Sequence, residues 1–177
     1  MSAFCGAVSV CITDYGRAGD RGLVEAIDRN IADLKDQEPS LPCVVNGRLS
    51  GHPYVWGEDC EKLLEANMGQ AYDVVFMADC IFNRSVHHQL AQSMAMLMKP
   101  EGVCYCSFSH HDPQKTNLDL RFFDICEDQG YGHKLIHKEQ RQSFPFVEDD
   151  GLDEARGWVY VYEIRNRGEG ESPRGTT

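Results

Sequence analysis

Short apolar runs alternate along this chain with stretches whose apolar residues recur every three or four positions. Ala7 to Ile12 reads as a buried strand, closed by Thr13-Asp14-Tyr15-Gly16. Leu23, Ile27, Ile31 and Leu34 follow at helical spacing, with Asp20 placed to cap the helix. The segment Glu38-Pro39-Ser40-Leu41-Pro42 breaks that pattern, and Cys43 to Arg48 reads as a second strand. Gly51 to Gly57, holding Gly and Pro, reads as a loop that offers two aromatics, Tyr54 and Trp56, to solvent. A short helix, Cys60 to Ala66, then precedes the apolar strand Val74 to Met77.

Arg84 to Met98 places Val86, Leu90, Met94, Leu97 and Met98 on one side of a helix that Pro100-Glu101-Gly102 ends. Gly102 to Phe108 is a further strand. Leu118 to Cys126 is helical, with Leu120, Phe123 and Ile125 among its apolar positions. Lys134 to Ile136 and Trp158 to Ile164 close the series as strands, the last one expected antiparallel. The order β-α-β-α-β-α-β-α-β-β predicts an α/β fold, a Rossmann-like and mostly parallel open sheet with helices on both faces. Residues 1–165 are expected to form one domain, and the Gly-, Arg- and Glu-rich residues 166–177 a disordered tail.

Chemistry is densest in residues 72–88. There an apolar strand ends in Ala78-Asp79, and a second apolar step, Ile81-Phe82, leads to Asn83 and a helix. A buried parallel strand delivers polar groups to the carboxyl edge of a sheet in this way, and ligands bind at that edge. Ala78 is small enough to let a ligand approach the backbone. Asp79 and Asn83 offer a carboxylate and an amide able to orient an amine, and either is equally suited to cap the next helix. Asp14 also ends a strand, where an acid accepts hydrogen bonds from both hydroxyls of a ribose or simply serves a turn. Trp56 provides an indole either as a pocket wall or as a plug for the sheet edge.

The formal charge of −11, from 17 basic and 28 acidic residues, argues against a nucleic-acid backbone as the main partner. It is compatible with a basic protein substrate, and equally with a merely soluble acidic surface. Cys11, Cys80, Cys104 and Cys106 lie in apolar runs, where cysteine acts as a small hydrophobe. With no signal-peptide pattern in Met1 to Asp14 and no apolar run near 20 residues, a reduced, cytoplasmic setting and no membrane span are expected. Cys104, Cys106, Phe108 and His110 share a strand face, but the row lacks the chelating loop of zinc sites, so no metal is expected. His87-His88 reads as polar surface or a substrate contact. The acids Glu148 to Asp150, with Asp153 and Glu154, read as a solvated loop or a docking patch for a basic peptide.

Several of these segments, taken in order, resemble one family. They are Ile12-Thr13-Asp14-Tyr15, Asn30, Tyr54-Val55-Trp56-Gly57, Tyr72-Asp73-Val74-Val75, Ala78 through Asn83, His87-His88 and Phe108-Ser109-His110-His111. The family is that of S-adenosylmethionine-dependent protein methyltransferases similar to the N-terminal and lysine methyltransferases of elongation factor 1-alpha, an older label for which is nicotinamide N-methyltransferase-like. The resemblance implies S-adenosyl-L-methionine as cofactor, with Asp14 on its ribose and Trp56 and Ala78 lining its site. It implies methylation of a protein amine, the kind of group that Asp79 and Asn83 are able to orient, and elongation factor 1-alpha as the leading protein substrate. Such proteins begin with a further strand and a Glu-x-Gly-x-Gly-type loop before the strand matching Ala7 to Ile12. Only Met1 to Gly6 stands there in this sequence, so the resemblance implies an N-terminally shortened domain. A non-catalytic scaffold that binds a protein partner is the second reading. A nucleotide-binding half-domain of an oxidoreductase is the third, and the lack of Gly-x-Gly-x-x-Gly weakens it.

Overall fold

Parallel strands cannot be joined by a tight turn, and the first two strands illustrate how the chain meets that demand. In the computed structural model, which describes residues 2–16, 22–140 and 157–168, β1 (Val10–Asp14) lies parallel to β2 (Leu49–Pro53). The crossover is carried by α1 (Gly22–Gln37) and the short α2 (Pro42–Val45), and α3 (Glu61–Glu65) follows β2. Ala3, Ile31, Cys43 and Leu49 form the buried centre here, with Val10, Ile27, Leu34, Leu41 and Val44 packed around them. Helix α1 presses closely on β2 at Gly51, where a Cβ would sit 2.9 Å from both Ile27 Cγ2 and Asp28 Oδ1. These elements belong to one compact unit, Met1–Ala71, and the remaining ones to a second, Tyr72–Thr177.

The first unit corrects several expectations. Cys43 to Arg48 is not a strand: Pro42 opens α2 in the first turn, where its missing N–H costs nothing, and Cys43 turns fully inward. Gly51 to Pro53 is strand rather than loop, with Pro53 at the end of β2, a position the ladder tolerates. The first strand starts at Val10, not Ala7, and is not buried. Val8 is 57% and Ile12 38% exposed, because β1 pairs on one side only among the described residues. Tyr54, expected in solvent, is buried, and its hydroxyl donates to the Glu58 carbonyl at 3.0 Å.

The second unit holds β3 (Tyr72–Ala78), a 3-10 turn at Arg84–Val86, α4 (His87–Leu97), β4 (Met98–Phe108), α5 (Thr116–Asp128), β5 (Tyr131–Gln140) and β6 (Trp158–Asn166). Its sheet runs β3-β4-β6-β5, with β3 parallel to β4 and β6 antiparallel to both neighbours. The expected antiparallel closing strand is therefore in place, and the sheet is mixed. Strand β3 lies at the edge, so Val74 and Phe76 are 41% and 64% exposed and only Met77 is buried, against the expectation of a strand buried throughout.

Helix α5 buries Asp119, Phe122, Phe123 and Cys126, an i, i+3, i+4, i+7 stripe. Leu120, expected among the apolar positions, faces outward because the inner face takes in an acid instead. Asn166 and Arg167 belong to the fold: the Arg167 N–H donates to the Gly130 carbonyl at 2.8 Å, so the expected tail boundary lies too early. Asp20, the acidic segment 148–154 and residues 169–177 lie outside the described residues. No described helix is long and apolar enough to cross a membrane.

Candidate active site

Strands β3 and β4 end side by side, and the chain chemistry gathers where they stop. Asp79 extends the ladder by one bond, its N–H donating to the Ser107 carbonyl at 2.7 Å. It then turns with φ of 51°, a left-handed conformation that a residue with a Cβ adopts only at a cost. In that conformation its carboxylate meets His111 from the segment after β4. The imidazole Nε2 lies 3.0 Å from Oδ1 and 2.9 Å from Oδ2. A carboxylate only accepts, so Nε2 carries the proton. The ring lies flat on Phe82, with centroids 4.5 Å apart and planes 3° from parallel. Both members of the pair are about half exposed, 44% for His111 and 54% for Asp79.

Asn83 occupies the same loop, and its Oδ1 accepts the Ser85 hydroxyl at 2.9 Å. Neither Asp79 nor Asn83 caps α4, which leaves the functional reading of both in place. Ala78 is exposed at the strand end, a small side chain at the rim. His87, expected at the surface, is buried: its Nε2–H donates to the Ile81 carbonyl at 2.7 Å, and its ring meets the edge of Phe122. That bond fastens the loop to the start of α4.

A second acid lies underneath. Asp119 of α5 is 1% exposed and accepts the Nδ1–H of His110 at 2.8 Å. The Arg84 Nε stands 2.8 Å from its other oxygen, an ion-pair contact lying off the hydrogen-bond axis. His110 also packs edge-on against Phe108 and Tyr160. Adjacent residues after a strand point to opposite sides, so His110 is drawn inward to Asp119 while His111 turns outward to Asp79.

Cys104 and Cys106, in the same inward row, are fully buried. Desolvation pushes both thiols far up, with neighbouring thiols adding to it, and burial pushes Cys126 up to about 12. They are neutral packing groups rather than nucleophiles. Among the described residues no group of three or more His, Cys, Asp or Glu is arranged to hold a metal.

In the first unit, Asp14 ends β1 and Trp56 follows β2, so both sit at the carboxyl edge of one parallel pair. Their backbones are joined there, the Tyr54 N–H donating to the Asp14 carbonyl at 3.0 Å. The exposed Asp14 carboxylate takes the Tyr15 N–H at 2.7 Å on Oδ1, leaving Oδ2 for a further donor. Trp56 is half-buried in the turn. The structure thus brings the expected residues together in two groups, Asp14 with Trp56 in one unit and Ala78, Asp79 and Asn83 in the other. His111, Phe82 and the Arg84–Asp119–His110 network were missed as site residues. The sequence signals for them were a His-His pair directly after an alternating strand and the place of Phe82, His110 and His111 in segments that carry the resemblance.

A family model described as lysine methyltransferase matches residues 2–129. The chain belongs to that family. Among its relatives, Protein N-terminal and lysine N-methyltransferase efm7 of Schizosaccharomyces pombe is 29% identical over 93% of this chain and 62% of its own length. The protein of the same name from Eremothecium gossypii is 32% identical over 93% of this chain and 60% of its own. This member of the lysine methyltransferase family therefore spans about three fifths of the curated relatives it matches.

Solved structures similar to it include SMU.776 complexed with SAH, with a TM-score of 0.59 at 12% identity, covering 92% of this chain and 40% of that one. Precorrin-6y C5,15-methyltransferase from Geobacter metallireducens gives 0.51 at 12%, covering 89% and 66%. At such identities the likeness concerns the fold, which is the Rossmann-like α/β fold of class I methyltransferases.

Proposed function

We propose that this chain carries out S-adenosylmethionine-dependent methylation of a protein amine, a lysine or an N-terminal amine, with elongation factor 1-alpha as the favoured substrate and the cytoplasm as its setting. The observation that carries the reading is the left-handed Asp79, a costly conformation that aims an exposed carboxylate off the carboxyl edge of β3 in a member of the lysine methyltransferase family. The residues present suit the cofactor. Within the first unit, Asp14 has an oxygen open to ribose hydroxyls and Trp56 follows β2 at the same sheet edge; within the second, Ala78 is a small exposed side chain at the end of β3.

When bound, S-adenosylmethionine supplies a methyl group on an electrophilic sulfonium. The chain has little acid–base work left and acts mainly by alignment. Asp79 attracts the amine and receives one of its N–H bonds, a charge-assisted contact, and the Asn83 amide fixes its direction. The net negative charge favours approach of a basic protein.

The test is calorimetric titration of the full chain with S-adenosylhomocysteine, after a cooperative melt is recorded. Binding is expected, weakened about tenfold or more by Asp14→Asn and by Trp56→Ala, since one hydrogen bond to a charged group is worth about 1.5–3 kcal/mol. A folded chain that binds nothing refutes the reading and leaves the non-catalytic scaffold.

A further inference from the structure

His111 has no role in the reading above, yet the geometry around it is more constrained than an exposed histidine requires. One N–H serves both oxygens of Asp79 almost equally, at 3.0 and 2.9 Å, which holds the carboxylate head against the imidazole. The outer lone pairs of both oxygens remain for another donor. The imidazole cannot turn away without leaving the face of Phe82, which stands on the same loop as Asp79. Its backbone is anchored from below, because the preceding residue, His110, is fastened to the buried Asp119. The Asp79 backbone is likewise tied to Ser107.

Stability does not account for this arrangement. A His–Asp contact half exposed on both sides contributes about 0–1 kcal/mol even when charged, no more than the strain of a left-handed residue removes. What the contacts do achieve is a carboxylate held in one place at the rim of the sheet.

We propose that His111 is a positioning residue, holding the Asp79 carboxylate in place to receive the substrate amine. The inference rests on the methyl-transfer reading of this same site. His111 touches neither amine nor cofactor; it acts through Asp79. Two of its properties are separable by substitution, since Phe keeps the stack and loses the donor, while Gln keeps a donor and loses the stack.

The experiment uses the full chain and its His111→Phe and His111→Gln variants, with purified elongation factor 1-alpha as acceptor. For each, kcat, the acceptor KM, S-adenosylhomocysteine affinity and melting midpoint are measured. His111→Phe is expected to fold and to bind S-adenosylhomocysteine like the parent, with kcat lowered about tenfold to a hundredfold as misplacement of a reacting group does. His111→Gln is expected to recover most of that loss. Parental kcat in His111→Phe overturns the proposal, and so does a His111→Gln enzyme no better than His111→Phe.

A parent chain that transfers no methyl group is a failure of the proposed function, a different result. The positioning geometry is then decided by the imidazole nitrogen NMR spectrum. An Nε2–H resonance that shifts and exchanges faster with water in Asp79→Ala supports it, and a spectrum indifferent to Asp79 overturns it.

Discussion

Asp119 is the residue whose removal should be felt most, and the structure sets the size of the effect. Its side chain is 1% exposed, with His110 Nδ1 at 2.8 Å on one oxygen and Arg84 Nε at 2.8 Å on the other. Asp119→Ala leaves the imidazole N–H without its acceptor and the guanidinium without its counter-charge. Breaking a buried charge pair from one side costs about 3–5 kcal/mol. Arg84 is 26% exposed and its contact is off-axis, so part of that charge escapes to water on removal. The lower part of the range, about 3–4 kcal/mol, is the expectation. At about 2–4 °C per kcal/mol for a chain of this size, that is a fall of roughly 6–16 °C in Tm.

The two tryptophans make the assay selective, since Trp56 lies in the first unit and Trp158 in the second. In a Trp56→Phe background, urea unfolding followed by fluorescence reports Trp158, two residues from the Tyr160 that packs on His110. Asp119→Asn keeps an acceptor for His110 and loses the charge opposite Arg84, so it should cost less than Asp119→Ala. His111→Ala, which breaks the exposed pair, should cost under about 1 kcal/mol. A loss below about 1 kcal/mol for Asp119→Ala, or equal losses for Asp119→Ala and His111→Ala, would refute the burial argument.

Two further outcomes follow from single residues. Burial against Phe123 and Tyr162 lowers the His133 pKa from 6.5, and nearby Arg167 assists while Glu127 opposes. The unfolded chain therefore takes up the proton first. This contribution is complete above about pH 6.5 and is lost as pH falls below it, so melts between pH 5 and 8 should show a decline that His133→Gln reduces. The same decline in both proteins would show that burial of His133 is not its source. At Asp79, Gly accepts φ of 51° freely whereas Ala does not, so Asp79→Gly should be about 1 kcal/mol more stable than Asp79→Ala. Equal midpoints would place Asp79 outside the left-handed region in solution.

The sequence revealed strands β3 and β4 because apolar run and polar terminus are local signals, and it placed Ala78, Asp79 and Asn83 at a strand end as found. It misread Cys43 to Arg48, since a run rich in β-formers looks the same whether a sheet claims it or Pro42 opens a helix ahead of it. Helix α5 was read from its apolar residues, and the true inner stripe was hidden because Asp119 interrupts it. An acid on an apolar face has no local mark to distinguish it from a surface acid. Its partners, Arg84 and His110, come from other elements. His111 was hidden for the same reason: it meets Asp79 across 32 positions of chain.

The two acids thus argue for different roles from one pair of adjacent histidines. Asp119 is enclosed, charge-paired and aligned with the hydrophobic stripe of α5, where its removal is expected to cost about 3–4 kcal/mol by stranding His110 and Arg84. Asp79 is exposed, and its pairing with His111 does not repay a left-handed backbone by stability alone. Strain that folding does not need is found where geometry serves binding or chemistry. The buried network therefore acts as the foundation that holds the 110–111 segment still, and the exposed pair is the part that has something to hold.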